Sequence, residues 1–243
     1  MKKFKLILII SLIFNILFIF VGGFVVYENG GIEYTKIKES TVINSNYPKP
    51  KTSSYYNDKV NSFKNIKKSN EIIFLGDSLT DYCNWNIAFN NTSIRNLGIS
   101  GDTTSGVLNR LNDIYILKPK KLFIMIGIND LSSGKSKEDI INNYTNIVKD
   151  IQSNNINTNI FIQSILPISR QIVKKDEINN NVAELNSELK DIAEKLNVNY
   201  INLYDLFRKG NELNNDYAID GLHLNNAGYL VWKKAIEKYV IAQ

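Results

Sequence analysis

From about residue 60 onward, short apolar runs alternate with longer amphipathic stretches. That alternation predicts an α/β fold, a parallel sheet with helices on both faces. The short runs, such as Ile72-Ile73-Phe74-Leu75, are rich in Ile, Val and Phe and bounded by Gly, Asn or Pro, as buried strands are. The longer stretches carry apolar residues at helical spacing. With 243 residues, 44% of them hydrophobic and 22% charged, the chain is large enough to bury such a core as one domain.

The first segment sets the expected compartment. Leu6 to Tyr27 reads LILIISLIFNILFIFVGGFVVY, uncharged and with only Ser11 and Asn15 strongly polar. At ~1.5 Å per residue it spans the ~30 Å hydrocarbon core of a bilayer. It is apolar all round, whereas a core helix keeps a polar face. Lys2, Lys3 and Lys5 precede it and Glu28 and Glu33 follow, which orients the N-terminus toward the cytoplasm. A cleaved signal peptide competes with this reading, but its apolar region is only ~7–15 residues and ends in an A-x-A-like site. This run is longer, and Gly22-Gly23-Phe24 is a poor site. The expectation is a signal anchor over residues 1–27, with the remainder extracytoplasmic on a single-pass membrane protein, or secreted if the segment is cleaved. With no cysteine near the end of the run, lipoprotein processing is excluded.

Residues 28–52 are polar, contain Pro48 and Pro50, and lack apolar periodicity, so they read as a stalk. Residues 53–243 read as one domain without internal repeats. Val60, Phe63 and Ile66 suggest a short opening helix. Five strands follow, near residues 72–75, 93–97, 122–126, 160–163 and 200–203. Helices are expected near 104–117, 137–154, 177–197 and 226–240.

Composition excludes several classes of function. One cysteine, Cys83, rules out an internal disulfide framework and thiolate zinc clusters. One histidine, His223, rules out multi-histidine metal sites. Once the three N-terminal lysines are set aside, the 29 basic and 24 acidic residues leave a surplus of only +2. That is no electrostatic footprint for nucleic acid. Asn, Lys and Ile are abundant throughout, so a single Asn or Lys carries little information.

In a sheet of this kind the site lies at the carboxyl ends of the strands. Four polar clusters fall there: Gly76-Asp77-Ser78-Leu79-Thr80-Asp81, Gly98-Ile99-Ser100-Gly101-Asp102-Thr103-Thr104, Gly127-Ile128-Asn129-Asp130 and Asp220-Gly221-Leu222-His223. Each alone reads as an ordinary turn or helix cap. Together they fit one chemistry. A serine hydroxyl needs an adjacent base, and His223 is the only imidazole. Asp220, three residues earlier, can reach its Nδ1–H and hold the tautomer. A tetrahedral oxyanion needs preorganised donors, for which the Ser78 and Gly101 N–H groups and the Asn129 amide are candidates. The G-x-S-x-G elbow of the α/β-hydrolases is absent, because Gly76-Asp77-Ser78-Leu79-Thr80 lacks its second glycine.

The blocks GDSLTD (76–81), NLGISGDTT (96–104), GIND (127–130) and DGLH (220–223), in this order, resemble the SGNH hydrolases, also called GDSL esterases/lipases. The flanking IIFLGDS and DGLHLNNAGY are most similar to the branch of platelet-activating-factor acetylhydrolase subunits and lysophospholipase-like esterases. The resemblance covers residues 55–243 and implies a flavodoxin-like three-layer α/β/α sandwich on a five-stranded parallel sheet. It implies Ser78 as nucleophile, His223 as base and Asp220 as its partner. It also implies an oxyanion hole from Ser78, Gly101 and Asn129, with no metal and no cofactor. The membrane anchor departs from the many soluble relatives.

The leading expectation is a serine esterase acting on acyl esters, such as O-acetyl groups, of a carbohydrate or lipid at the cell surface. An acyltransferase using the same triad ranks second. A non-catalytic glycan-binding domain ranks third, because decayed enzymes usually lose a member of the set and this chain has lost none. Tyr82, Trp85 and Phe89 follow the nucleophile, either lining a pocket or packing the helix after strand one.

Overall fold

Five parallel strands form the centre of the computed structural model, which describes residues 53–64, 66, 72–155, 157–172 and 174–242. They are β1 (Ile72–Gly76), β2 (Ile94–Gly98), β3 (Lys121–Met125), β4 (Asn159–Gln163) and β5 (Asn199–Ile201), in the order β2-β1-β3-β4-β5. All four pairings are parallel, with Phe74 opposite Phe123 and Phe123 opposite Phe161. β1 is buried along its whole length, as expected of a central strand covered on both faces.

The two faces differ in chemistry. On one, Ile73, Leu75, Leu122, Ile124, Ile160 and Ile162 form an aliphatic layer. It packs under α1 (Ser53–Lys64), α5 (Leu111–Leu117), α7 (Lys137–Asn154) and α8 (Lys175–Lys195). On the other, Phe74, Phe123 and Phe161 stack across three strands at 4.9 and 4.6 Å between ring centroids. Trp85 of α3 (Trp85–Ala88) stacks on Phe74 at 4.2 Å, and Tyr239 of α10 (Asn226–Ile241) closes the row at 5.4 Å from Phe161. Trp85 and Phe89 are therefore packing residues, not pocket lining.

The long helices form where the sequence supports them. In α7, Ser136 caps the first turn by accepting the Asp139 N–H, and Glu138 and Asp139 suit the positive end of the helix. Its stripe of Ile140, Tyr144, Ile147, Val148 and Ile151 is buried. The opening helix begins earlier than the Val60–Ile66 spacing suggests, at Ser53. The single helix expected over 104–117 is two, α4 (Thr104–Leu108) and α5. Arg110 breaks it at φ −123° and ψ 18°, where its guanidinium reaches the buried Asp102 at 2.8 Å. β5 stops at Ile201, because the Leu203 and Tyr204 N–H groups turn to the Ser164 hydroxyl.

Short elements sit at the strand ends: α2 (Ser78–Asp81), α6 (Ile128–Ser132), α9 (Tyr204–Phe207) and the small hairpin of β6 (Arg208–Lys209) and β7 (Glu212–Leu213). None was legible as periodicity. Among the described residues, no helix is long and apolar enough to cross a membrane. The apolar run 6–27 and the stalk expected over 28–52 lie outside the described residues.

Candidate active site

The four polar clusters meet at the carboxyl edge of the sheet. Ser78 follows β1 at the start of α2, Gly101 follows β2, and Asn129 follows β3 within α6. Because β1 lies between β2 and β3, the three flank one another by topology alone.

The fourth cluster lies ahead of α10 and is held by the chain that leaves β4. The segment 164–169 leaves that strand irregular yet buried, so its backbone needs partners. Two buried asparagines of α8 supply them. Asn186 accepts the Ile165 N–H at 2.7 Å and donates to its carbonyl at 2.8 Å, and Asn179 does the same for Ile168, both at 2.8 Å. The segment then holds the Asp220–His223 loop, as Ser169 and Arg170 both donate backbone N–H groups to the Gly221 carbonyl at 2.8 and 3.1 Å. Gly221 has φ +77°, and a Cβ there would lie 2.4 Å from the Arg170 nitrogen. Only glycine fits.

The result is a continuous chain of hydrogen bonds. Ser78 Oγ lies 3.1 Å from His223 Nε2, and His223 Nδ1 lies 3.0 Å from Asp220 Oδ2. Asp220 Oδ1 accepts the Leu222 and His223 N–H groups at 3.1 and 2.9 Å. Partial burial alone would raise the Asp220 carboxyl, but these backbone bonds and the imidazole hold it down at about 2. Arg170 pairs with the same Asp220 oxygen and donates to its carbonyl at 3.2 Å. Tyr82 lies 5.1 Å from His223 between ring centroids, so of the three aromatic residues it alone borders the site.

The donor side is equally constrained. Asn129 Nδ2 donates one hydrogen to the Asp102 carbonyl at 2.9 Å, which aims the amide. Gly101, at φ +82°, has nothing within 4 Å of where a Cβ would stand. Among the described residues the Ser78 and Gly101 N–H groups make no hydrogen bond. Such a set can activate a hydroxyl and receive a developing oxyanion. Cys83 offers no rival nucleophile, since burial pushes its thiol well up. Among the described residues, no group of three or more His, Cys, Asp or Glu side chains could hold a metal ion.

Comparisons with known proteins identify the family. A family model described as the GDSL-like lipase/acylhydrolase family matches residues 74–231. The chain belongs to this family. As a GDSL-like acylhydrolase it is a carboxylic ester hydrolase. It is 27% identical over 186 residues to human platelet-activating factor acetylhydrolase IB subunit alpha2, covering 72% of this chain and 77% of the relative. In structure it is similar to a GDSL-like lipase from Bacteroides thetaiotaomicron, with a TM-score of 0.63 at 21% identity over 76% of this chain and 96% of that one. It is also similar to an acetylxylan esterase from Geobacillus stearothermophilus, at 0.59 and 19% over 73% and 97%.

Three residues of this GDSL-like chain escaped sequence reasoning. Asn96, in β2, donates to the Thr80, Asp81 and Cys83 carbonyls at 2.8, 3.1 and 2.8 Å, pinning the turn after Ser78. Arg170 braces Asp220, and no motif marks it. Asp77 is the third. It caps α2 by accepting the Leu79 N–H at 3.0 Å and is buried, which pushes its carboxyl up to about 7. The unfolded chain releases this proton near pH 4 and the folded chain only near 7, so stability falls between those values as pH rises. Asp77→Asn keeps the cap and removes the titration. Its melting temperature relative to the parent should therefore rise from pH 4 to 7 and then level off, gaining on the order of 10 °C. A pH-independent difference would show that Asp77 does not titrate there.

Proposed function

We propose that this chain is a membrane-anchored, extracytoplasmic serine esterase that removes short acyl groups, O-acetyl foremost, from a carbohydrate or lipid near the cell surface. Ser78 attacks the ester carbonyl. His223 takes its proton and later returns it to the leaving alcohol. Asp220 holds the imidazole and offsets the charge it acquires. The Ser78 and Gly101 N–H groups and the Asn129 amide receive the oxyanion. Water then attacks the acyl-enzyme, with His223 again as base, and releases the acid.

The observation that carries this reading is the unbroken path from Ser78 Oγ through His223 to Asp220, at 3.1 and 3.0 Å. Acyl transfer to a sugar hydroxyl would use the same path, but the family's description as acylhydrolases favours water as acceptor. Two similar proteins, an acetylhydrolase subunit and an acetylxylan esterase, carry acetyl removal in their names, which supports a short acyl group. The anchor rests on the length of the uncharged run 6–27 and the lysines before it.

The test is to assay membranes and culture medium from cells producing the full chain against p-nitrophenyl esters from acetate to palmitate. Activity should pellet with membranes, be lost when intact protoplasts are treated with protease, and be greatest on acetate. Activity free in the medium would overturn the anchor. Preference for palmitate would overturn the short acyl group.

A further inference from the structure

The nucleophile helix carries a second acid that the reaction above leaves unused. Asp81 lies in α2, three residues beyond Ser78, and its side chain is wholly buried. Oδ1 accepts Lys59 Nζ at 2.6 Å, and Oδ2 accepts both the Tyr55 hydroxyl at 2.6 Å and the Ser100 N–H at 2.9 Å. Tyr55 and Lys59 belong to α1, which lies outside the 74–231 match to the family model.

Ser100 immediately precedes Gly101. Gly101 has no side chain, and nothing lies within 4 Å of where a Cβ would stand, so no packing at that residue itself fixes how its N–H points. The loop is held by its buried neighbours Ile99 and Asp102 and by hydrogen bonds on either side of Gly101. One runs from the Ser100 N–H to Asp81, and another from the Asp102 N–H to the Ile99 carbonyl at 3.0 Å. Asp81 is itself clamped from behind. Asn96 holds its carbonyl at 3.1 Å, and Gly98 lets the strand approach so closely that a Cβ would lie 2.4 Å from the Asp81 nitrogen.

We propose that Asp81 is a positioning residue, held by Tyr55 and Lys59 of α1, which ties the nucleophile helix to the loop presenting the Gly101 N–H. This rests on the reading of Gly101 as an oxyanion donor. A rigid link between nucleophile and donor matters because a misplacement of about 1 Å can cost ~10²-fold in rate.

The experiment compares full-length Asp81→Asn and Tyr55→Phe with the parent in detergent, well below their melting temperatures. Three quantities are read: kcat on p-nitrophenyl acetate, KM, and affinity for an alkyl boronic acid, whose adduct with a serine hydroxyl is tetrahedral and anionic. Asp81→Asn should lower kcat roughly 10–100-fold with KM nearly unchanged and weaken boronic-acid binding by the same factor. Tyr55→Phe removes one bond to Oδ2 and leaves the Lys59 pair. It should move both quantities the same way by a few-fold, and it decides the matter if Asp81→Asn does not fold. A lowered melting temperature with kcat and boronic-acid affinity unchanged would reduce the cluster to a structural clamp and overturn the proposal. A parent chain that turns over no ester would instead show that the esterase reading itself had failed.

Discussion

Ser78→Ala is expected to lower kcat by roughly 10⁴–10⁶-fold while leaving the melting temperature almost unchanged. The stability half of this expectation follows from what the hydroxyl touches. Its hydrogen bond is to His223 Nε2, on a partly exposed loop, so removing it strands no buried partner. The kinetic half follows from the chemistry, since an alanine cannot form the acyl-enzyme. His223→Ala should be nearly as damaging, because the serine then keeps its proton. The double variant should be little worse than either single one, as both disrupt the same nucleophile–base unit. The checks are steady-state turnover on p-nitrophenyl acetate and thermal melts of all three variants. Near-parental turnover by Ser78→Ala would remove Ser78 as nucleophile.

Asn129→Ala should lower kcat by roughly 10²–10³-fold, the usual consequence of losing one side-chain oxyanion donor, with a smaller change in KM. The asymmetry comes from timing, because the amide's second hydrogen gains its strongest acceptor only when the carbonyl oxygen becomes charged. Stability should fall too, by about 1 kcal/mol, since the carbonyl of the buried Asp102 loses its donor in a loop that is otherwise partly exposed. Kinetics and melts therefore report separate parts of one side chain. A raised KM with unchanged kcat would make Asn129 a substrate-binding group and not an oxyanion donor.

The sheet was legible because its signal is local. Ile72 to Leu75 reads as a buried strand with no knowledge of its neighbours, and the long stripe of α7 needs only its own residues. The Ser78, Gly101 and Asn129 clusters were legible because each falls where a strand ends, and Asp220–His223 because it precedes the last helix and holds the one histidine. What stayed hidden is long-range or carried by commonplace residues. The break at Arg110 depends on a partner, Asp102, eight residues earlier. In so asparagine-rich a chain, Asn96, Asn179 and Asn186 look like compositional background. Only the fold shows Asn179 and Asn186 meeting buried backbone groups of the segment after β4, and Asn96 gathering three carbonyls of the turn after Ser78. Asp81 lies inside the GDSLTD block, but its partners Tyr55 and Lys59 sit on a helix with a weak apolar pattern.

The serine and the imidazole it faces are 145 residues apart. The helix that follows the histidine is sewn to the rest by Tyr229, whose hydroxyl donates to the Leu79 carbonyl at 2.8 Å, and by Trp232, which donates to Gln163 at 2.7 Å. A chain emerging from the ribosome or across a membrane N-terminus first thus displays its hydroxyl long before its proton acceptor. With Ser78 as nucleophile and His223 as base, as proposed above, a chain made only as far as β5 would hold a serine hydroxyl with no imidazole to activate it. The proposed reactivity thus needs the whole domain, because nucleophile and base stand near opposite ends of its order of synthesis.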